Sequence, residues 1–305
     1  MPKAQSLIYH SAIMSLTRRH FLQAVTAAMA SAGLPRGVAA QPTISMPVPG
    51  ILGLELYSVR HQLDKDVPGT LKLVRSWGFE QVEGGNFYGR SAADFKALLA
   101  QHGLQMQSML VGYEQLRDDL PTVMKNARAI GATLVGTAWI PHEQPFTRQH
   151  VDMALADFAK WGKAMRAEGL RFFYHVHGYE FAPSPDGTLM DTLVKNSPAD
   201  AVDFQADVFW VKRGGGDPAG LLTKYPGRFK SVHLKDMAKG VATNDPTGSA
   251  PDETCVVIGT GQLDFQAILR AAKASGVTHY YIEDEHPSSD KQIPQSLKYL
   301  SALEI

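Results

Sequence analysis

The strongest constraint on this chain is an alternation that begins at Ile51 and runs almost to the last residue. Short apolar runs of strand character, "ILGLELYS", "FEQVEGG", "LQMQSML", "TLVGTAW", "LRFFYHVH", "AVDFQAD", "FKSVHLKD" and "THYYIED", alternate with longer segments of helical periodicity. The helical segments are Val67–Trp77, Ala92–His102, Leu116–Ile130, Val151–Glu168, Leu189–Lys195, Pro218–Lys224, Phe265–Ser275 and Ile293–Leu303. Gly78, Gly103, Gly131, Gly169 and Gly276 each stand just before a strand-like run, where a helix C-cap favours glycine. Eight strand–helix units in one chain predict an α/β protein with a single (β/α)8 barrel. An open doubly wound sheet would place a glycine-rich loop after its first strand, and "LELYSVRHQL" has none. "GTGQLD" at 259–264 reads as a turn, "GGG" at 214–216 as a flexible loop entering a helix, and 236–262 as one long loop and candidate lid.

The chain has 305 residues, 44% hydrophobic and 20% charged, the composition of a globular protein. Thirty basic and thirty acidic side chains cancel, which removes the basic face that nucleic acid requires. The only cysteine, Cys255, excludes an intramolecular disulfide and a thiolate metal cluster. At the N-terminus, Arg18-Arg19 precede Phe21-Leu22, an alanine-rich stretch and Val38-Ala39-Ala40, the order of a twin-arginine export signal. Residues 1–40 are therefore expected to be a signal cleaved after Ala40, Met14 offering an alternative start, and residues 41–305 the mature barrel. The apolar run is too short for a membrane span, which needs about 20 residues.

Side chains alternate inward and outward along barrel strands, and the residues at the C-terminal ends surround the active site. On the fifth run His175 and His177 share the parity opposite Phe172, Tyr174 and Val176; on the sixth, Asp203, Gln205 and Asp207 oppose Val202, Phe204 and Ala206. On the seventh, Ser231, His233 and Lys235 oppose Val232 and Leu234; on the eighth, Glu283 and Glu285 oppose Tyr280 and Ile282. Four strands thus send imidazoles and carboxylates inward at one end. That donor set, without cysteine, suits a divalent ion, and the expected ligands are His175, Asp207, His233 and Glu283. The competing reading is four separately satisfied buried polar groups.

"GLELYSVR", the segment "HVHGYEF", "FQADVFWVKRGGGDP", "FKSVHLKD", "GTGQLDF" and "YYIEDEHP", spread in order over residues 51–303, resemble the xylose-isomerase-like TIM barrels, the sugar phosphate isomerase/epimerase superfamily, and within it an exported branch. The resemblance implies one divalent ion on His175, Asp207, His233 and Glu283, Mn2+ first, with Co2+, Zn2+, Fe2+ or Mg2+ as alternatives. It places His177, Glu180 and Lys235 among substrate-binding and acid/base groups, with Glu283 assisting as a base. Glu55 and Glu83, at the ends of the first two strands, would bind sugar hydroxyls, and Trp210, with Trp139, Phe209 and Tyr57, would stack on sugar rings. Two departures stand out. Ketose epimerases of the superfamily usually carry glutamate as first ligand and base, where this chain has His175; exported relatives usually read His-Asn-His-Asp, where this chain has His-Val-His-Gly, ending at Gly178.

The expected activity is a periplasmic, metal-dependent isomerase, epimerase or lyase that acts on a sugar or keto-sugar through an enediolate. Its partner would be a small carbohydrate, with no nucleic acid and no stable membrane insertion, and homo-oligomerisation is left open. Two alternatives stand beside it. An apurinic-site endonuclease-like barrel is disfavoured by the zero net charge; a non-catalytic periplasmic sugar-binding barrel would keep a structural metal.

Overall fold

A computed structural model describes residues 44, 46–185 and 187–305; the expected export signal lies outside the described residues. Eight parallel strands close into a barrel: β1 (Ile51–Glu55), β2 (Gln81–Glu83), β3 (Gln105–Leu110), β4 (Leu134–Thr137), β5 (Arg171–His175), β6 (Val202–Asp207), β7 (Phe229–Leu234) and β8 (His279–Ile282). Each pairs with its neighbour in sequence, and β8 returns to β1 with Leu52 beside Tyr280.

The principal helices are α1 (Val67–Ser76), α2 (Ala92–Gln101), α3 (Tyr113–Ile130), α4 (Arg148–Ala167), α5 (Leu189–Asn196), α6 (Pro218–Lys224), α7 (Phe265–Ser275) and α8 (Ser289–Ala302). Side chains start several of them: the Asp66 carboxylate accepts from Gly69 N at 3.0 Å, Ser91 Oγ from Asp94 N at 3.1 Å, and Asp264 from Ala267 N at 2.9 Å. Gly131 and Gly276 end α3 and α7 in the left-handed conformation. Helices α3, α4 and α8 begin earlier than the sequence periodicity suggests, because their first turns carry polar residues.

The outward parity of the strands packs on the helices. Phe172, Tyr174, Val202, Phe204, Val232 and Tyr280 are all fully buried there, each Val or Phe contributing about 1.5–3 kcal/mol by burial. Inside, the barrel floor is closed by rings over glycines: a Cβ on Gly53 would lie 2.7 Å from the Tyr281 ring, and one on Gly136 2.5 Å from the Phe173 ring. Arg171 clamps Asp203 through two hydrogen bonds of 2.6 and 2.9 Å, at the strand starts. Polar side chains therefore collect above that floor.

Two loop expectations change. Segment 236–262 is not one free loop: Asp236–Met237 pairs antiparallel with Cys255–Val256, and the Asp236 carboxylate accepts from the backbone N–H groups of Met237, Gly259, Gly261 and Leu263. "GTGQLD" is thus a turn wrapped on that carboxylate. The glycines 214–216 form the turn between a short helix, Val208–Arg213, and α6. They allow close backbone approach, since a Cβ on Gly214 would meet Gly178 O at 2.2 Å. Among the described residues no helix is long and apolar enough to cross a membrane.

Candidate metal centre and active site

Strand register brings the ligand-type residues to one level. His175 lies beside Gln205, Asp207 beside His233, and His233 beside Tyr281, with Glu283 one residue past the end of β8. One donor atom from each of His175, Asp207, His233 and Glu283 falls within a 4.8 Å cluster, and all four residues are buried. His233 Nδ1 is 2.9 Å from Glu283 Oε2 and 4.0 Å from Asp207 Oδ2; His175 Nε2 is 3.8 Å from Asp207 Oδ2. Asp207 has two tasks. Its Oδ1 caps the helix Val208–Arg213 by accepting from Phe209 N and Trp210 N at 2.8 and 3.0 Å, while its buried Oδ2 has no hydrogen-bond partner.

The electrostatics suit a cation. Glu83, Asp207 and Glu283 are buried carboxylates sharing His233 and Lys235 as cationic partners among the described residues. Burial pushes the Asp207 carboxyl up to about 7, Glu283 adding to the shift, although Lys235 and His233 oppose it. Burial works against a charged His233, yet Glu83 and Glu283 hold it well above the ordinary imidazole range. Burial and the charge of His233 lower His175 to about 4. An orphaned carboxylate oxygen beside two imidazoles and a second carboxylate fits a divalent ion better than four separately satisfied groups.

Above the centre opens a cavity of about 1000 Å³, whose wall includes His175, His177, His233, Glu283, Glu55 and Glu285. Tyr57, Trp139 and Trp210 also line it; Phe209 instead packs below with Met237 and Cys255. His177 stacks on Trp210 with ring centroids 4.5 Å apart and meets Trp139 edge-on, and its Nδ1 has no hydrogen-bond partner. Burial and neighbouring His175 keep that ring well below the usual imidazole range. Residues Gly248, Ser249 and Ala250 of the 236–262 segment reach the cavity wall, tied there by Gln144 donating to Thr247 O at 2.9 Å.

Three expected site residues lie elsewhere than the sequence suggested. Glu180 is fully buried on the helix side of β5, where it accepts from the Tyr174 hydroxyl and, at 3.0 Å, from His177 N. It braces the His177 backbone and does not line the cavity, because the 3-10 turn at Tyr179–Phe181 carries it outward. Lys235 lies beneath the wall, paired with Glu285 and 3.6 Å from Glu283 Oε2, with its Nζ 5.0 Å from the Trp210 ring centre. Glu83 is fully buried and accepts from Ser108, Gln205 and His233, whereas Glu55 does line the cavity with an unpartnered Oε2. Burial first, and then Glu83, raise the Glu55 carboxyl well above its ordinary value. Ser108 carried no motif that would have marked it. The departure at Gly178 also has a structural reason. Its φ is +92°, and a Cβ there would lie 2.7 Å from Trp210 O, so no aspartate fits without backbone movement.

The comparisons with known proteins agree with this architecture. An inosose dehydratase of Geobacillus kaustophilus (strain HTA426) is 22% identical over 210 residues, 59% of this chain and 68% of that protein. The match to the Lacticaseibacillus casei inosose dehydratase spans 56% of that protein's length. A sugar phosphate isomerase/epimerase from Parabacteroides distasonis ATCC 8503 superposes with a TM-score of 0.68 at 23% identity, over 88% of this chain and 98% of that one. The IOLI protein, solved with a zinc atom, superposes with a TM-score of 0.62 at 16% identity, over 82% of this chain and 95% of its own. The model of the xylose isomerase-like TIM barrel family matches residues 71–303, and this chain belongs to that family.

Proposed function

We propose that this chain is a divalent-metal-dependent enzyme that removes a proton next to the carbonyl of a keto-sugar or cyclic keto-polyol and expels a β-hydroxyl as water. The observation that carries the proposal is the four-strand cluster of His175, Asp207, His233 and Glu283, with its orphaned Asp207 oxygen, under a cavity with aromatic walls. A divalent ion held there would supply Lewis-acid polarisation of a carbonyl and its neighbouring hydroxyl. The inosose dehydratase relatives support the direction of the chemistry.

The chain's own groups then have defined tasks. His177 is the base: its ring sits on the cavity wall, and Trp210 and Trp139 fix its plane. It takes the α-proton, the β C–O bond breaks, and the same imidazole hands the proton to the departing oxygen, which leaves as water. Glu180 and Lys235 work from behind the wall as positioning residues. Glu180 fixes the His177 backbone, and Lys235 holds Glu283 and Glu285. Glu55, on the cavity wall, binds a substrate hydroxyl, and Tyr57 and Trp139 offer faces to the sugar ring.

His175 as first ligand favours elimination over epimerisation, because an imidazole engaged as ligand does not double as the second base that two-sided proton exchange needs. The second reading, isomerisation or epimerisation, is favoured by Glu283, a carboxylate on the cavity wall that would serve as that base. A non-catalytic sugar-binding barrel is the third. Metal-loaded protein incubated in deuterated water with a panel of keto-sugars and cyclic keto-polyols separates them. Enone absorbance supports elimination, deuterium wash-in with an isomeric product supports the second reading, and binding without turnover supports the third.

Export belongs to the same proposal. The twin-arginine pattern at Arg18-Arg19 would send the folded, metal-loaded barrel to the periplasm, and Arg18→Lys with Arg19→Lys should leave the precursor in the cytoplasmic fraction.

A further inference from the structure

Each of the two histidines in the ligand set has two ring nitrogens, and one of each must keep its proton while the other holds an ion. The choice is made outside the ligand set. His175 turns Nδ1 to Gln205 Oε1 at 2.7 Å, which leaves Nε2 facing Asp207. The Gln205 amide nitrogen meets both oxygens of Glu83, at 3.1 and 3.0 Å. Glu83 also accepts from the Ser108 hydroxyl and faces His233 Nε2, so that His233 Nδ1 points to Glu283 and Asp207.

An ionised carboxylate only accepts, whereas an amide has one accepting and one donating end. With Glu83 accepting, Gln205 must give it the NH2 end, so Oε1 faces His175 and Nδ1 there must carry the hydrogen. By the same logic, His233 must carry its hydrogen on Nε2. The direction of the whole pattern follows from Glu83 standing as acceptor to Ser108, Gln205 and His233. The backbone is built around it: both register shifts among the described barrel strands fall at these residues, between Val82 and Glu83 and between Phe204 and Gln205.

We propose that Glu83 is the positioning residue that selects the metal-binding nitrogen of both histidines, Nδ1 of His233 directly and Nε2 of His175 through Gln205. This replaces the substrate-hydroxyl role expected for Glu83. It also argues against Glu55, Glu83 and His233 as a second ion site, since Glu83 already faces three donors. The inference rests on the metal reading of the site.

The test is imidazole 15N NMR on the wild-type chain loaded with Zn2+, which is diamagnetic, together with Zn2+ affinity by chelator competition. The expected spectrum has His175 protonated on Nδ1 and metallated on Nε2, and His233 the reverse. Glu83→Gln should weaken Zn2+ binding about 10–100-fold. The exchange Glu83→Gln with Gln205→Glu restores both acceptors: the new amide oxygen at position 83 serves His233, and the new carboxylate at position 205 serves His175. The double variant should therefore recover most of that loss, whereas a role in packing alone would not be rescued. Either histidine metallated through the other nitrogen, unchanged affinity in Glu83→Gln, or a double variant no better than the single one overturns the relay. Wild-type protein that binds no Zn2+ overturns the metal reading itself, which is a different result from metal bound through the wrong nitrogens.

Discussion

Asp207→Asn should separate the stability of the metal-free barrel from its hold on an ion. The amide oxygen can replace Oδ1 as acceptor for Phe209 N and Trp210 N, at 2.8 and 3.0 Å, so a cap worth about 1 kcal/mol persists. The other oxygen is the one that changes. Oδ2 is buried without a partner, with His175 Nε2 at 3.8 Å and His233 Nδ1 at 4.0 Å, both beyond hydrogen-bond reach. An unsatisfied buried polar group costs about 1–3 kcal/mol, and an uncharged amide costs less to bury than a carboxylate that ionises above about 7. The lost attraction to His233 and Lys235 offsets part of this gain, so metal-free Asp207→Asn at about pH 8 should equal wild type or exceed it by about 1 kcal/mol. Metal response should move the other way. At 100 times Kd an ion adds about 2.7 kcal/mol to wild type, a Tm rise of roughly 5–11 °C for a domain of this size. The variant should lose that rise. Differential scanning calorimetry with and without Mn2+ or Zn2+ reads both numbers. A variant that keeps the full shift, or that loses more than about 1 kcal/mol without metal, would refute the reasoning.

Three further outcomes follow from the same geometry. His177→Gln should lower kcat by about 10²–10⁴-fold with metal content at the wild-type level, since the base is lost and no ligand is touched; kinetics beside elemental analysis checks this. Burial raises the Glu180 carboxyl from 4.5 to about 7, and a carboxyl raised on folding contributes stability that is fully present below its unfolded pKa and lost as pH rises through the folded one. Urea midpoints of wild type should therefore fall more steeply between about pH 5 and about pH 8 than those of Glu180→Gln, whose amide oxygen still accepts from Tyr174 and His177; parallel profiles would contradict this. Gly178→Ala should cost about 1–3 kcal/mol in urea unfolding, because alanine is strained at φ +92° and its Cβ meets Trp210 O.

The fold and the clustering of imidazoles and carboxylates at one end of the barrel were legible early because both depend on period and parity. Eight strand–helix repeats leave few ways to bury eight apolar faces, and a period of two decides which side chains point inward before any contact is known. His175, Asp207, His233 and Glu283 come together for that reason. Parity also placed Gln205 inward, although nothing in a single strand identified its partner. Expectations diverged from the structure where backbone leaves the strands. At Glu180 the chain has turned past Gly178 into a 3-10 turn, so its carboxylate points behind β5. Likewise the glycines 214–216, which resemble a flexible loop in sequence, serve the close contact between Gly214 and Gly178.

By itself the sequence determined the barrel, the end at which its chemistry collects, and the donor types available there, because these follow from local periodicity and composition. Tertiary structure alone decided which of the inward groups touch the cavity and which stand behind it. Whether Glu83 meets substrate or His233 depends on a one-residue register shift between β2 and β3 and on a serine, a glutamine and a histidine from three other strands. Hydrogen-bond direction is set by those cross-strand neighbours, and a strand carries no record of its neighbours' donors and acceptors until the barrel closes.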